Sequence, residues 1–384
     1  MNLLVAHGGG PTAVINSSLQ GVIERARELD RHGKIYAARF GLEGILRNDL
    51  ADLTDVPASA VNRLRGTPSS AIGSCRRRLE KADLPALLEC LQQHQIDCFL
   101  YNGGNDSMDT CEKIAHYAAQ AKISLKIIGI PKTMDNDLAI TDHCPGYGSA
   151  ARYAALTAAE MAAEASALPI HVVILELMGR NAGWVTAAST LAAGRAACEI
   201  LAYLPEQPVN EKRMLLEIER AFAKGRGLLV AVSEGLRRPD GTLLADTGIR
   251  DGFGHIMPGG TGQYLASRVL EQLGLKARAE KPGLAGRCSM GCISAADQEE
   301  AYTVGAYAVE AALQGETGGM VAIAAHRHPT YRYRMFLTPF HTVANQEKLF
   351  PLEWIEEHGH ISAEFFDYVA PLLGGALPKY VRFF

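Results

Sequence analysis

No uncharged apolar run in this chain reaches the roughly 18 residues that a bilayer span requires. Positive charge is in slight deficit, because 38 Lys and Arg stand against 42 Asp and Glu, for a formal net charge of −4. That balance argues against a nucleic-acid or membrane-surface protein, since both need a basic face. The cysteines (Cys75, Cys90, Cys98, Cys111, Cys144, Cys198, Cys288 and Cys292) are scattered without a CxxC pair. A clustered zinc site and the disulfide framework of a small secreted chain are therefore not expected. Reduced thiols, mostly buried as small apolar residues, are. The opening MNLLVAHGGG lacks a basic flank and a small-residue cleavage pattern, so it reads as a first strand rather than a signal peptide, and a cytoplasmic protein is expected. Neither an internal repeat nor a low-complexity linker stands out.

What is present fits a globular α/β enzyme of two or three domains: 384 residues, 48% of them apolar, with 38 glycines. Short apolar runs alternate with amphipathic stretches. NLLVAH precedes a helix predicted from about Thr12 to Leu29, with Ile15, Leu19, Val22, Ile23 and Ala26 on one face. DCFLYN precedes a helix from about Ser107. LKIIGI, HVVILEL and GLLVAVS are further near-continuous apolar runs, suited to strands buried on both faces of a parallel sheet. Ligands of such sheets bind beyond the carboxyl ends of the strands, so the following loops are the place to look. After about Gly318 the pattern changes: YRYRMFLTPF alternates like a strand, and PLEWIEEHG looks like a short helix.

Several strand-end loops carry chemically suggestive residues. HGGGPTAVIN leads three glycines into a helix, a natural phosphate cradle, although neither the Walker GKS/T ending nor GxGxxG is present. GGNDS (103–107) is a second glycine-rich strand end, and it carries an acid, Asp106, where a phosphate would pass. PKTMDND (131–137) gathers a lysine, a hydroxyl and two carboxylates. That mixture suits phosphoryl transfer, in which a cation holds the donor, a carboxylate takes a proton and another carboxylate helps hold Mg²⁺. MGRNAG (178–183) offers an arginine that can fork onto a phosphate or sugar, and VSEGL places Glu234 to accept from sugar hydroxyls.

GGGPTAVIN, GGNDS, PKTMDND, TDHCPGYGSAARY, LELMGRNAGW and VSEG follow in this order and at these spacings. In them the chain resembles the phosphofructokinase family, most closely its pyrophosphate-dependent branch, from about Leu3 to Arg287. The resemblance implies an α/β phosphofructokinase fold of two Rossmann-like three-layer domains with mostly parallel sheets. A phosphoryl-donor domain is expected over 1–143, with a returning segment near 289–316, and a sugar-phosphate domain over 144–288. The tail, 317–384, is read as a cap on the second domain.

The resemblance also implies a reaction, the Mg²⁺-dependent and reversible transfer of a phosphoryl group from pyrophosphate to fructose 6-phosphate. Gly9, Gly10 and Gly104 would lie against the donor, and Asp135 would take the proton from the sugar 1-hydroxyl. Thr133, Met134 and Asp135, with Met178, Gly179, Arg180 and Glu234, would contact the sugar phosphate. Arg76 would neutralise charge on the transferred group, and Asp137 would organise Mg²⁺ through water. Asn105 stands where most members have an aspartate that contacts the metal; its amide oxygen can ligate a hard cation, without the charge. Arg278 and Arg287 match the family's 6-phosphate clamp, with Leu284 in place of a usual histidine or tyrosine. His171 replaces an arginine that in many members reaches a neighbouring subunit's substrate. A homodimer or homotetramer with shared active sites is therefore expected, with His171, Arg278 and Arg287 as candidates for crossing the interface.

ATP-using members resemble GGDGS followed by PGTxDND, with glycine where this chain has Asp106 and again where it has Lys132. An aspartate in the first place adds bulk and negative charge where the α-phosphate would lie. A lysine in the second supplies a cation for pyrophosphate. Other readings stay open at this level: an ATP-dependent kinase of this fold or of the NAD- or lipid-kinase group, and a catalytically weak regulatory subunit that binds sugar phosphate. A seven-carbon analogue of the acceptor is open too.

Overall fold

A computed structural model describes residues 1–195, 198–250, 256–258 and 260–383. The chain divides into two compact units, one formed by Met1–Ser149 with Arg287–Lys348, the other by Ala150–Gly286 with Leu349–Phe384. In chain order the strands are β1 (Leu3–His7), β2 (Ile35–Ala38), β3 (Leu50–Asp52), β4 (Cys98–Gly103), β5 (Lys126–Pro131), β6 (Val172–Leu177), β7 (Glu199–Tyr203), β8 (Leu228–Ser233), β9 (Asp246–Arg250), β10 (Ile256–Pro258), β11 (Ala277–Glu280), β12 (Gly319–His326) and β13 (Arg332–Pro339).

The first unit is built on one seven-stranded sheet of order β13-β12-β5-β4-β1-β2-β3. Its interior pairs are parallel, and only the β2–β3 and β12–β13 pairs are antiparallel. The apolar runs read as strands are sandwiched, and the two-residue period of a strand sends alternate side chains to opposite faces. Leu3, Val5, Leu100 and Ile128 pack against the helices Ile15–Leu29 and Ala295–Leu313. Leu4, Ala6, Phe99 and Ile127 pack instead against Leu84–Gln93 and Asn105–Gln120. Three layers follow.

The first helix pair packs unusually close. A Cβ at Gly21 would collide with the Tyr302 carbonyl oxygen, and one at Gly305 with that of Ser18. Glycine at both crossing points lets the two backbones touch.

Segment 317–348 departs from its expected place as a cap on the second domain. β12 pairs in parallel with β5 and β13 pairs with β12, so this hairpin extends the first unit's sheet. The physical reason lies in GMVAIAAH, whose first five residues are buried like those of a central strand. Residues 349–384 do belong to the second unit. There Phe350, Trp354 and Tyr368 surround Trp184, with ring centroids 5.0 to 6.0 Å apart, and Phe365 packs on Phe350 at 5.2 Å. PLEWIEEHG is two short 3₁₀ turns, Leu352–Trp354 and Glu357–Gly359, rather than one helix. Ile355 bridges back to Ile361, and His358 adopts a left-handed φ of 59°, which breaks any continuous helix.

The second unit has a four-stranded parallel sheet of order β11-β6-β8-β7 and a small antiparallel ribbon of β9 and β10. Val172, Ile174, Leu228, Val230 and Leu201 pack against Met214 and Ile218 of the helix Glu211–Phe222 and Leu265 and Val269 of Thr261–Leu273.

Candidate active site

In the first unit the carboxyl ends of β1, β4 and β5 lie side by side, with His7 opposite Asn102 and Gly103 opposite Pro131. The loops that leave them are stitched together by backbone. Gly8 N–H donates to the Asn102 carbonyl at 2.8 Å, Lys132 N–H to Gly103 at 3.0 Å, and Gly9 N–H to Cys75 at 2.8 Å. The last of these draws residues 74–76 alongside the glycine loop and leaves Arg76 exposed there. Gly9 has a left-handed φ of 75°, and a Cβ on it would sit 3.3 Å from the Lys132 ammonium.

Lys132 is the centre of this group. It is 4% exposed, and its Nζ donates to the Gly10 carbonyl at 2.8 Å. Burial and the positive charge of Arg287 pull its pKa down to about 8, against the opposing pull of Asp137 and Asp135. Arg287 packs on the same loop: a Cβ on Gly10 would run into its guanidinium, and its carbonyl accepts from Ala13 N–H at 3.0 Å. Its pKa is lowered by burial and by Arg76. Lys132, Arg287 and Arg76 thus form a cationic cluster beside the Asp135 and Asp137 carboxylates. His7, at the end of β1, is held neutral; burial and Lys132 push its pKa to about 3. Ser70 gives its hydroxyl proton to the Gly73 carbonyl, so His7 Nδ1 must donate to Ser70 Oγ at 2.7 Å.

The PKTMDND loop is rigid for identifiable reasons. Asp135 N–H donates to Thr133 Oγ1 at 3.1 Å, Thr133 N–H to Pro145 at 3.2 Å, and Lys348 N–H to the Asp137 carbonyl at 2.8 Å. Asn136, fully buried with φ 57°, accepts from Cys144 N–H at 3.0 Å. Met134 is buried beneath the loop. Burial raises the Asp137 pKa, and a hydrogen bond from Thr133 opposes it; Asp137 Oδ1 is buried without a hydrogen-bond partner among the described residues. An orphaned carboxylate oxygen of this kind fits a hard cation, which commonly takes one or two carboxylates and completes its shell with water and phosphate. Among the described residues no group of three or more His, Cys, Asp or Glu could hold a metal by itself.

Asn105, expected near the metal, is engaged elsewhere. Its Nδ2 donates to the Gln346 carbonyl at 2.5 Å and its Oδ1 accepts from Asn345 N–H at 2.6 Å, so the amide fastens segment 343–346 to the start of the helix Asn105–Gln120. Asp106 occupies the first turn of that helix and is exposed. Its charge meets the positive end of the helix dipole, a contact worth about 0.3–1 kcal/mol. Gly104, the N-cap, has space around its Cα, its nearest neighbour being the Lys132 carbonyl at 3.6 Å from a Cβ.

A buried ionic network that sequence reasoning did not single out supports the next stretch, TDHCPGYGS. His143 bonds Asp142 through Nδ1 at 2.9 Å and Glu300 through Nε2 at 2.7 Å. Burial opposes its protonation, but Glu300 and Asp142 raise its pKa to about 9. Arg327 forks onto Asp142 at 2.7 and 2.9 Å, and Asp297 accepts from Gly146 and Ser149 N–H, each at 2.8 Å. Lys348 Nζ donates to the Asp142 and Thr141 carbonyls at 2.8 and 3.1 Å. Asp297, Glu300, Arg327 and Lys348 lie far in sequence from residues 141–149, and nothing within that stretch announces them as partners.

In the second unit, the loops after β6 and β8 interlock. Leu177 pairs with Ser233, Ser233 Oγ donates to the Gly179 carbonyl, and Glu234 N–H donates to Leu177 at 3.0 Å. Gly179 has φ 133°, and a Cβ on Gly235 would collide with the Arg180 carbonyl. Met178, Gly179, Arg180 and Glu234 are therefore brought together; Met178, Arg180 and Glu234 are half-buried. Arg278 is exposed on the edge strand β11. Arg287 belongs to the other unit, against Gly10. His171 is 3% exposed, with Nε2 3.4 Å from Glu164, so it cannot reach across an interface as expected.

Comparison with known proteins adds a family. The sequence profile described as Phosphofructokinase matches residues 2–312. A protein of Methylococcus capsulatus named pyrophosphate–fructose 6-phosphate 1-phosphotransferase is 39% identical over 99% of this chain and 95% of its own. One named sulfofructose kinase, from Alkalicoccus urumqiensis, is 35% identical over 93% of this chain and 92% of its own. The crystal structure of a pyrophosphate-dependent phosphofructokinase from Nitrosospira multiformis superposes with a TM-score of 0.89 at 37% identity, covering 99% of this chain and 94% of that one.

Proposed function

The chain belongs to the phosphofructokinase family, and we propose that it transfers a phosphoryl group from pyrophosphate to the 1-hydroxyl of fructose 6-phosphate. The products are fructose 1,6-bisphosphate and phosphate. The observation that carries this reading is the Lys132 ammonium, buried at the end of β5 against Gly10 and flanked by Arg76 and Arg287, together with relatives named for this reaction.

Each part has a physical role. Gly9, Gly10 and Gly104 let the donor approach the backbone, since a side chain at Gly9 or Gly10 would crowd Lys132 or Arg287. Lys132 and Arg76, together with Arg287, which packs on the Gly10 loop rather than in the 6-phosphate clamp expected for it, stabilise charge on the diphosphate, preorganised in a setting where cations count for more than in water. Asp135 accepts the proton of the 1-hydroxyl as it attacks. Asp137, with Oδ1 buried and unpartnered, would hold Mg²⁺, which when bound would supply positive charge to the phosphate groups. Thr133 and Met134 frame the acceptor beside Asp135. Arg180 and Arg278 supply cations for the sugar phosphate, and Glu234 takes hydrogen bonds from the sugar hydroxyls. Asp106 holds the helix N-terminus that would otherwise attract a nucleotide's α-phosphate. The enzyme acts in the cytoplasm as a dimer or tetramer.

The test is a stoichiometric one. Purified protein with pyrophosphate, Mg²⁺ and fructose 6-phosphate should release one phosphate per fructose 1,6-bisphosphate formed. Parallel reactions with 6-sulfofructose measure how far the acceptor's terminal group matters, given the sulfofructose kinase relative. Absence of turnover with fructose 6-phosphate under these conditions would refute the assignment.

A further inference from the structure

Glu176 is a charged residue in the middle of an apolar run, the fifth position of β6, and is 3% exposed. A carboxylate in such a place costs several kcal/mol unless its oxygens are fully bonded. Here both are. Oε2 accepts from Gly262 N–H at 2.8 Å, at the start of the helix Thr261–Leu273, and Oε1 from the Lys281 ammonium at 2.6 Å. A Cβ on Gly262 would lie 3.1 Å from Glu176 Cβ, so glycine permits the helix start to come this close. Lys281 follows β11 directly, and its Nζ also lies 3.9 Å from Glu234 Oε2. The ring closes through Thr261, whose hydroxyl donates to the Glu234 carbonyl at 3.1 Å. The ends of β6, β8 and β11 and one helix start are thus tied around a single lysine.

We infer that Lys281 is a positioning residue for the acceptor: anchored by Glu176, it holds Glu234 ionised and aimed, so that Glu234 can accept hydrogen bonds from the sugar. The inference rests on the reading of Glu234 given under the proposed function. Three charged groups bear on Glu234: Lys281 after β11, Glu176 on β6 and Arg180 in the loop after β6. Burial raises the Glu234 pKa, Lys281 and Arg180 lower it, and Glu176 raises it. Removing the lysine removes the cation 3.9 Å from Glu234 and leaves Glu176 as an uncompensated neighbour. Glu234 then protonates at higher pH and becomes a poorer acceptor.

The experiment compares wild type with Lys281→Met, Lys281→Arg and Glu234→Gln, using pyrophosphate, Mg²⁺ and fructose 6-phosphate over pH 5–9, with thermal unfolding of each variant. Lys281→Met should raise KM for fructose 6-phosphate about tenfold or more, as for a lost hydrogen bond to a charged group, while kcat stays within about threefold. The acidic limb of kcat/KM should move up by about half a pH unit or more; the ester's own titration is common to all the enzymes and cancels. Lys281→Arg should restore both. If Lys281→Met leaves KM and the acidic limb unchanged, or lowers kcat and the melting midpoint with no movement of the limb, the inference is overturned. If Glu234→Gln itself leaves the acceptor KM unchanged, the reading of Glu234 fails and the inference falls with it. A Glu234→Gln effect without a Lys281→Met effect overturns the inference alone.

Discussion

Asp135 and Lys132 sit three residues apart in one rigid loop yet are asked for opposite things. As the proposed base, Asp135 would accept a proton in the transition state, so its loss should register in turnover rather than in binding. Asp135→Asn should lower kcat by two to four orders of magnitude, the usual range for a positioned acid or base, with the fructose 6-phosphate KM within a few-fold. Steady-state kinetics decide this, and near-normal turnover would remove Asp135 from the role of base. Lys132 must remain a cation. Its pKa is lowered to about 8, so the charged fraction falls as pH rises through that value. The ratio kcat/KM for pyrophosphate, which reports on the free enzyme, should therefore decline above about pH 8. Lys132→Arg, whose charge does not titrate, should flatten that limb; a limb that persists in Lys132→Arg would assign it to another group.

At the scale of elements, the crossing of Ile15–Leu29 with Ala295–Leu313 sets two effects against each other. Alanine in a helix interior is favoured over glycine by about 0.8–1 kcal/mol, but a Cβ at Gly305 meets the backbone oxygen of Ser18. Overpacking costs about 1–3 kcal/mol, so Gly305→Ala should be net destabilising by thermal or urea unfolding, and Gly305→Val more so. A stabilised Gly305→Ala would mean that the helices part without cost. This crossing also shows which features were legible in the sequence. The runs that became β1, β4, β5, β6 and β8, and the loops after them, carry their signal locally, in apolar composition and terminal glycines. The engagement of Asn105 by residues 345 and 346, the ion network of His143 with Glu300, and the pairing of β12 beside β5 depend on partners more than 150 residues away. No window on the sequence contains both members. For the same reason the hairpin of β12 and β13 read as a cap on the wrong unit, and the tie of Asn105 to residues 345 and 346 went unread.

For the whole molecule, the formal charge of −4 would repel a polyanionic donor. Attraction of that donor would come from local field, and Lys132, Arg76 and Arg287, gathered around one glycine loop, are the cations placed to supply it. In the proposed reading Asp106, exposed at the adjoining helix start, would act as a filter rather than a ligand, disfavouring a phosphate where a nucleotide's α-phosphate would lie and leaving the lysine cluster untouched. Donor choice in this account is made by a charge added, with no domain gained or lost. The most direct test is the ratio of kcat/KM for pyrophosphate to that for ATP, measured with fructose 6-phosphate and Mg²⁺ in wild type and in Asp106→Gly. A strong wild-type preference for pyrophosphate is expected, with measurable ATP use once the acid is gone. A wild-type preference for ATP, or a folded Asp106→Gly enzyme that gains no ATP activity, would contradict it.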